Sequence, residues 1–403
     1  YRYCGNTDWT KELLKDYYPM QQYNASVNGG NEKISYYTSF GYFNQKGISK
    51  PGDENYDRYN FMQNLSYKVN NWLNLSVKAS VNSFNNKKNP QNKWGSFSSD
   101  NMYIAGDSRP LMPVYQPDGH YAGYSGNGYF TNMIAFIKQG GYQQEKVSDI
   151  WLTGSMKLTP VKSLTINVDY TYNSYNNVYL IYMKQYWDYD ANGPAVLFPH
   201  TTPNAVTRSN TNNKYTSFNA YAEYEKKFNN IHYFKAMIGF NQELGINSWF
   251  QAQRQKLISN DIPYMNLASG DRYAYDSGSE YAIRGAFARL NYTFNDKYLF
   301  EFNGRYDGSS RFPKNDRFEF FPSASLGWRI SSESFFESLK HTVNDFKLRA
   351  SYGNLGNQAV NAYYPYIATY GTSEVDYLLG GEKPMSVTAP GLVSPSLTWE
   401  KVT

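Results

Sequence analysis

The feature that most constrains this chain is an alternation of uncharged and polar residues in which every charge lies on one side. It is clearest in the segments 286–294, 298–307, 323–330 and 346–352. One set of alternate positions there holds only Ala, Gly, Leu, Ile, Phe, Tyr and Trp, whereas the other holds every Ser, Thr, Asn and charged residue. Successive side chains of a β-strand point to opposite faces, so this period of two predicts strands with one uncharged face.

The alternation recurs along the chain, and the connections between alternating segments differ regularly in length. Short turns such as 29–31, 70–71 and 229–230 alternate with long loops that we predict near 86–146, 174–214, 245–280 and 354–396. Outer-membrane barrels have short periplasmic turns, long extracellular loops and strands that span the hydrocarbon with about 10 residues. The sequence therefore predicts an all-β fold, an antiparallel transmembrane β-barrel, with a soluble all-β protein as the competing interpretation.

Composition agrees with the barrel interpretation. The chain has 41 tyrosines and 24 phenylalanines, and these residues cluster near the ends of the alternating segments, where membrane barrels carry girdles of aromatic residues. Its single cysteine excludes a disulfide framework within the chain. The four histidines are scattered and no catalytic constellation is visible, so we do not expect an enzyme.

Several phrases carry a family resemblance and occur in the family's order along the whole chain. The longest are QQYNASVNGGNEKISYYTSFGYFNQKGI at 21–48, LNYTFNDKYLFEFNGRYDGSSRF at 290–312, FFPSASLGWRISSESFF at 320–336 and FKLRASYGNLGNQ at 346–358. Together they resemble the SusC/RagA-like TonB-dependent outer-membrane transporters of the Bacteroidetes. Barrels of this class have roughly 22 strands and a plugged lumen. About a dozen strands are expected here, so residues 1–403 would form a partial barrel domain whose plug is not in this chain.

The resemblance also implies a function and partners. It implies import of oligomeric nutrients across the outer membrane, with a SusD-like surface lipoprotein as lid and TonB–ExbB–ExbD acting through a segment absent from this chain. Oligosaccharides are the expected substrates and peptides the alternative, and no nucleic-acid partner or cofactor is expected. Two other functions stay open, namely a passive porin or adhesin barrel and a soluble carbohydrate-binding β protein.

Aromatic residues in the predicted loops are the candidate ligand-binding residues. They are Trp94, Tyr186, Trp187, Trp249 and Phe250. Aromatic faces stack on the apolar faces of sugar rings, so these side chains could line a glycan path. The alternative is that they pack the loops together or contact the lid protein, because interfaces are also enriched in Tyr and Trp.

Charged residues on the polar face form the second candidate set. They are Arg289, Arg305, Asp307, Arg329 and Arg349. We expect them to face the lumen, where they would form structural pairs facing the plug or, alternatively, a wall that contacts substrate. In the loop near residue 54, Asp53, Glu54 and Asp57 admit a calcium site or a solvated acidic turn, and no other metal site is expected.

Overall fold

A computed structural model describes residues 5–90, 110–123, 132–189, 194–360, 362–394 and 396–403. Its main feature is a 12-stranded antiparallel sheet in which each strand pairs with the next one along the chain. The strands of this sheet are β1 (Met20–Gly30), β2 (Ile34–Lys46), β3 (Asn55–Lys68), β4 (Leu73–Lys88), β5 (Gly141–Val161), β6 (Leu164–Met183), β9 (Ala205–Phe228), β10 (His232–Gln255), β11 (Arg272–Phe294), β12 (Tyr298–Ser309), β13 (Phe318–Arg329) and β14 (Lys347–Gly353). This topology confirms the predicted fold class and the count of about a dozen strands.

The remaining elements are short. The extra strands are β7 (Trp187–Asp188) paired with β8 (Val196–Leu197), β15 (Leu355–Asn357) paired with β18 (Glu400–Val402), and β16 (Thr372–Glu374) paired with β17 (Met385–Val387). Within the described residues, the helices are α1 (Trp9–Leu13) and α2 (Met133–Gln139), with 3₁₀ turns at Met265–Leu267, Ile330–Ser332 and Ser334–Leu339. No helix in the described part of the chain is long and apolar enough to cross a membrane.

The central strands are longer than the sequence predicted. β9 and β10 contain 24 residues each and β11 contains 23, so the loops predicted at 174–214 and 245–280 are wrong in extent and shrink to 184–204 and 256–271. The cause is visible at Lys214 and Arg284, which fall on the otherwise uncharged side of β9 and β11. The separation of charges ends there, although backbone pairing continues. A strand with water on both sides has no reason to alternate, so the pattern alone understates its length.

Strand register aligns the uncharged sides of neighbouring strands into one surface. Leu290 on β11 lies opposite Phe302 on β12, which lies opposite Ala324 on β13. Over the half of each strand next to the short turns, this surface carries no charged residue apart from Lys226 at the turn end of β9. We call it the uncharged band; its strand segments are 23–29, 34–42, 59–67, 73–81, 150–158, 164–172, 216–224, 234–240, 286–294, 298–306, 320–328 and 348–352.

Two of the short turns rest on left-handed backbone at residues that accept it. Asn229 and Asn230 have φ of 49° and 59°, and Asn295 and Asp296 both have φ of 54°. Asn and Asp adopt this conformation more readily than other side chains, whereas β-branched residues rarely do so. The sequence placed both turns correctly because these residue pairs follow strands of regular alternation.

We expect Asn230→Val to lower the free energy of unfolding by roughly 1–2 kcal/mol, since valine is strained at positive φ. Asn230→Gly at the same position should be neutral or slightly stabilising. Urea unfolding of the folded barrel in lipid vesicles measures both changes. Equal stability of the valine and glycine variants would mean that the turn does not constrain the hairpin.

Candidate functional site

The uncharged band is bordered at both ends by rows of aromatic rings. On the side of the long loops, Tyr42 lies 6.4 Å from Tyr23 and 5.0 Å from Tyr59, measured between ring centroids. On the side of the short turns, Tyr298 lies 6.3 Å from Phe294 and 6.5 Å from Trp328. Such girdles mark the two membrane–water interfaces of a transmembrane barrel, so this surface has the pattern of a lipid-facing wall.

One pair of polar side chains lies within the band, apart from Thr216 at its loop-side end. Thr38 Oγ1 donates a 2.6 Å hydrogen bond to Gln63 Oε1 on the neighbouring strand. Pairing of two polar groups in this way avoids the large penalty of placing an unsatisfied polar group in hydrocarbon. The exception is therefore compatible with lipid contact.

The opposite face carries the charged residues that the sequence singled out, and most of them are bonded to one another or to amides. Arg305 makes two hydrogen bonds to Asp307 at 2.9 and 2.8 Å, and its guanidinium lies 5.3 Å from the ring centroid of Phe287. Arg289 Nε donates to Asn303 Oδ1 at 2.6 Å. These contacts make the polar face a hydrogen-bonded wall.

Arg349 and Arg329 complete the predicted set but occupy different surroundings. Arg349 lines a cleft on the polar face together with Glu301 and Asn303. Arg329 lies at the turn rim, where its Nη1 donates to the carbonyl of Asp296 at 3.3 Å and its Nε lies 3.9 Å from a carboxylate oxygen of Asp345. The structure thus brings four of the five residues to one wall, and their contact with a plug stays a prediction.

On the polar face, nearer the long loops than these charged residues, aromatic side chains form one row across several strands. Trp151 on β5, Asn173 on β6, Tyr215 on β9, Gly245 on β10 and Tyr281 on β11 are register partners across five consecutive strands. The rings of Trp151 and Tyr215 are 6.0 Å apart between centroids. Gly245 is required by this row, since a Cβ at that position would clash with the ring of Tyr281. We call Trp151, Tyr215 and Tyr281 the inner aromatic row.

Polar groups hold both ends of the inner aromatic row. Trp151 Nε1 donates to Asp149 Oδ2 at 3.2 Å, and Asn173 Nδ2 donates to the other oxygen of the same carboxylate at 2.6 Å. At the far end Tyr281 stacks on Tyr363, with centroids 5.7 Å apart and planes 7° from parallel. Rings held in this way form a preformed surface with aromatic faces and hydrogen-bonding groups side by side.

The sequence did not predict this row, because the aromatic residues expected to bind ligand were those of the loops. The row lies within strands, on the face that the alternation marks as polar. An aromatic residue at a polar position, as at Trp151 and Tyr215, was the signal that could have revealed it.

The predicted loop aromatics do not form one site. Trp94 lies outside the described residues. Tyr186 is buried, stacks on Phe198 at 4.9 Å, and belongs to a rim cluster with α1 and α2. Burial raises the pKa of the Tyr186 hydroxyl well above its usual value. This placement favours the loop-packing interpretation for Tyr186.

The other three loop candidates are accessible but separate. Trp187 lies in the β7–β8 hairpin and is 53% exposed. Trp249 and Phe250 belong to β10 and not to a loop, so they point to opposite faces of the sheet. Trp249 is on the polar face with the inner aromatic row, whereas Phe250 is on the face that continues the uncharged band.

The acidic residues near position 54 have separate partners. Asp53 pairs with Lys87 at 2.6 Å, and this hydrogen bond holds the pKa of the Asp53 carboxyl below its usual value. Glu54 accepts a 2.9 Å hydrogen bond from Asn89, and Asp57 accepts hydrogen bonds from β2 side chains. Within the described residues, no group of three or more His, Cys, Asp and Glu is placed to hold a metal ion. The geometry favours the acidic-turn interpretation, and calcium binding stays a prediction.

At the turn rim, one carboxylate gathers three donors. Lys297 Nζ donates to Glu333 Oε2 at 2.7 Å, while Tyr298 OH and Trp328 Nε1 donate to Oε1 at 2.8 and 3.1 Å. The hydrogen bond from Lys297, with those from Trp328 and Tyr298, lowers the pKa of Glu333 to about 2. Glu333 thus ties the β13–β14 connection to the aromatic girdle.

We expect the Glu333 contacts to make the free energy of unfolding depend on pH in the acidic range. The pKa of Glu333 is lower in the folded protein than the ~4.3 of a glutamate in an unfolded chain. Its contribution to the free energy of unfolding is therefore complete above about pH 4.3 and is lost as the pH falls towards 2. Glu333→Gln should flatten the stability–pH profile in this window, and Glu337→Gln should keep the original profile. Unfolding midpoints between neutral and acidic pH measure both, and parallel profiles for the two variants would contradict the assignment.

The family of this chain is identified by a family model that matches most of its sequence. The model of the family described as "TonB dependent receptor-like, beta-barrel" matches residues 113–403. The chain belongs to this family. The TonB-dependent receptor barrels are outer-membrane proteins of a receptor and transporter family and not of an enzyme family. This excludes the interpretation as a soluble all-β protein, and we assign the uncharged band as the lipid-facing surface.

Curated relatives of this TonB-dependent receptor barrel extend the match to its full length. The chain is 27% identical to TonB-dependent receptor P26 of Formosa agariphila, over 98% of the chain and 38% of the relative. It is 26% identical to TonB-dependent receptor SusC of Bacteroides thetaiotaomicron, over 99% of the chain and 40% of the relative. The chain therefore spans about two fifths of the length of these relatives.

A solved structure has the same fold. The chain superposes on the RagAB peptide transporter with a TM-score of 0.76 and 23% identity, over 100% of this chain and 43% of that one. The resemblance to SusC/RagA-like proteins that the sequence phrases carried is thus confirmed.

Proposed function

We propose that the protein carrying this chain actively imports an oligosaccharide across the outer membrane. Family membership supports transport, and the inner aromatic row supports the substrate class. Aromatic faces pack on the apolar faces of sugar rings, while amides and hydroxyls bind their hydroxyl groups. The row supplies both, since Trp151 and Tyr215 flank Asn173 on adjacent strands.

The surroundings of the row suit a neutral polyhydroxylated solute. The polar faces of β6, β9 and β10 near it are rich in amides and hydroxyls, including Asn213, Ser217 and Asn247. Asn219 and Asn241 add a side-chain hydrogen bond of 2.5 Å between β9 and β10. Such groups exchange hydrogen bonds with sugar hydroxyls without the desolvation penalty that charges would add.

The energy source and the lid complete the proposal. A barrel wall does not move solute against a gradient, so we assign energy coupling to TonB–ExbB–ExbD acting on a plug. A SusD-like lipoprotein would cover the rim that carries the long loops. Similarity to SusC and to the fold of RagAB supports this arrangement.

Peptide import is the second candidate. The structure with a similar fold is titled a peptide transporter, and charged groups lie close to the row. Asp149 bonds Trp151, and the Arg311 guanidinium lies 5.7 Å from the ring centroid of Tyr281. Charges placed in this way could bind peptide termini and charged side chains.

Uptake in the source bacterium tests the proposal and separates the candidates. Deletion of the gene should abolish uptake of one oligosaccharide class and leave peptide uptake intact, and a protonophore should block the same uptake in the parent strain. Loss of peptide uptake alone would favour the second candidate. Uptake that resists the protonophore would indicate a passive porin and overturn active import.

A further inference from the structure

The connection between β13 and β14, residues 330–346, is unusual for its rim. Within the described residues, the other connections on this rim are the short turns 31–33, 69–72, 162–163, 229–231 and 295–297. Three residues suffice to join antiparallel strands, so the extra length of 330–346 is not needed for strand pairing. We call this connection the turn-rim segment.

The turn-rim segment lies against the outward side of the barrel wall. The ring of Phe335 lies 6.4 Å from that of Trp328, with an interplanar angle of 66°. Trp328 stacks on Tyr298, and Tyr298 on Phe294, so Phe335 extends the lipid-facing girdle by one ring. A second aromatic, Phe336, is buried against Phe346 at 6.0 Å.

Polar contacts hold the segment in this position and leave its charges paired. Glu333 accepts from Lys297, Tyr298 and Trp328, as described above. Glu337 accepts a 2.7 Å hydrogen bond from Lys340 within the segment. Despite this fixation, Phe335 is 64% exposed at the end of the girdle.

We propose that the turn-rim segment is an interfacial anchor that lies in the headgroup region of the periplasmic leaflet, with Phe335 in contact with phospholipid acyl chains. We assign phospholipid as the contact because Phe335 is the last ring in a row of aromatic side chains that borders the bilayer. An exposed aromatic beside paired charges has the amphipathic character of segments that lie in the membrane interface. The inference rests on the outer-membrane barrel and not on the identity of the transported solute.

The 3₁₀ geometry of Ser334–Leu339 supplies matched reporter positions. With three residues per turn, Ser338 lies on the same side as Phe335, while Glu337 points elsewhere. All three side chains are exposed, so labels there disturb little packing. A label at Ser338 serves if the variant at Phe335 does not assemble.

Depth-resolved fluorescence quenching tests the anchor. The variants Phe335→Cys, Glu337→Cys, Ser338→Cys and, as a control within the uncharged band, Leu326→Cys are made in a Cys4→Ser background. Each carries a bimane label in the protein reconstituted into phosphatidylethanolamine–phosphatidylglycerol vesicles. We expect phospholipids brominated near the headgroup to quench labels at 335 and 338 more than phospholipids brominated near the chain end. The label at 326 should show the reverse order, and the label at 337 should be unquenched.

The result can overturn the proposal in two ways. Unquenched labels at both 335 and 338 would mean that the segment faces water or a periplasmic protein. Equal quenching at 335 and 337 would mean that the segment has no lipid-facing side. The label at 326 keeps these outcomes separate from a failure of the barrel to insert.

Discussion

Replacing Ala324 by arginine should lower the free energy of unfolding by about 2–4 kcal/mol. Ala324 lies on the uncharged face of β13, midway along the segment 320–328 of the uncharged band, and its side chain is exposed to what we assign as lipid. In hydrocarbon the guanidinium has neither water nor a counter-ion, and its desolvation is the source of the loss. The penalty applies only if this face meets the bilayer near its midplane.

Ser325→Arg is the matched control, because it places the same side chain at the adjacent position on the opposite face. There the arginine would lie beside Glu301, the register partner of Ser325, in the hydrogen-bonded wall. We expect a change below about 1 kcal/mol, as for a partly solvated charge with an acidic neighbour. Urea unfolding in vesicles measures both variants, and a larger loss for Ser325→Arg would contradict the assignment of faces.

Trp151→Ala should weaken substrate binding about tenfold, which corresponds to ~1.4 kcal/mol. Trp151 donates a hydrogen bond to Asp149 and lies beside Tyr215 on the same face of the sheet, with β6 between their strands. Its ring is therefore already positioned for stacking. A rigid aromatic surface loses little conformational entropy on binding, which is why its removal has a large effect. Calorimetric titration of the purified protein with the oligosaccharide identified by uptake measures the affinity.

Phe250→Ala provides the control for the loss of an aromatic residue. Phe250 lies on β10, which the inner aromatic row crosses at Gly245, but on the opposite face of the sheet, and it is half exposed. Its removal should leave affinity unchanged. If both variants weaken binding equally, the effect comes from the loops or the fold and not from the inner aromatic row.

Within the membrane band, most of the fold could be predicted from sequence, because lipid imposes a separation of residue types there. The alternation alone assigns Leu290, Phe302 and Ala324 to the uncharged faces of their strands, and the structure places them in one row. Above the band that constraint disappears. Beyond the band, Lys214 and Arg284 lie on the side of the strands that is uncharged within the band. Strand length there depends on pairing with neighbouring strands, which cannot be deduced from the local sequence.

The site was less predictable because it depends on register and on packing between distant loops. Trp151 and Tyr281 are 130 residues apart in sequence. They belong to one row only because β5, β6, β9, β10 and β11 pair in the observed register. The sequence made Tyr186 a candidate ligand-binding residue, with loop packing as the alternative, and the structure buries it in a cluster with Phe198 and α2. Neither outcome follows from the residues adjacent in the chain.

Oxygen accessibility along β11 shows directly whether the uncharged face contacts lipid. Nitroxide labels at each position from 286 to 294, in a Cys4→Ser background, report collision with molecular oxygen in the reconstituted protein. We expect a collision rate with a period of two, with maxima at 286, 288, 290, 292 and 294. Maxima at 287, 289, 291 and 293 would show that the barrel is inside out, and a profile without the period would show that β11 does not line the bilayer.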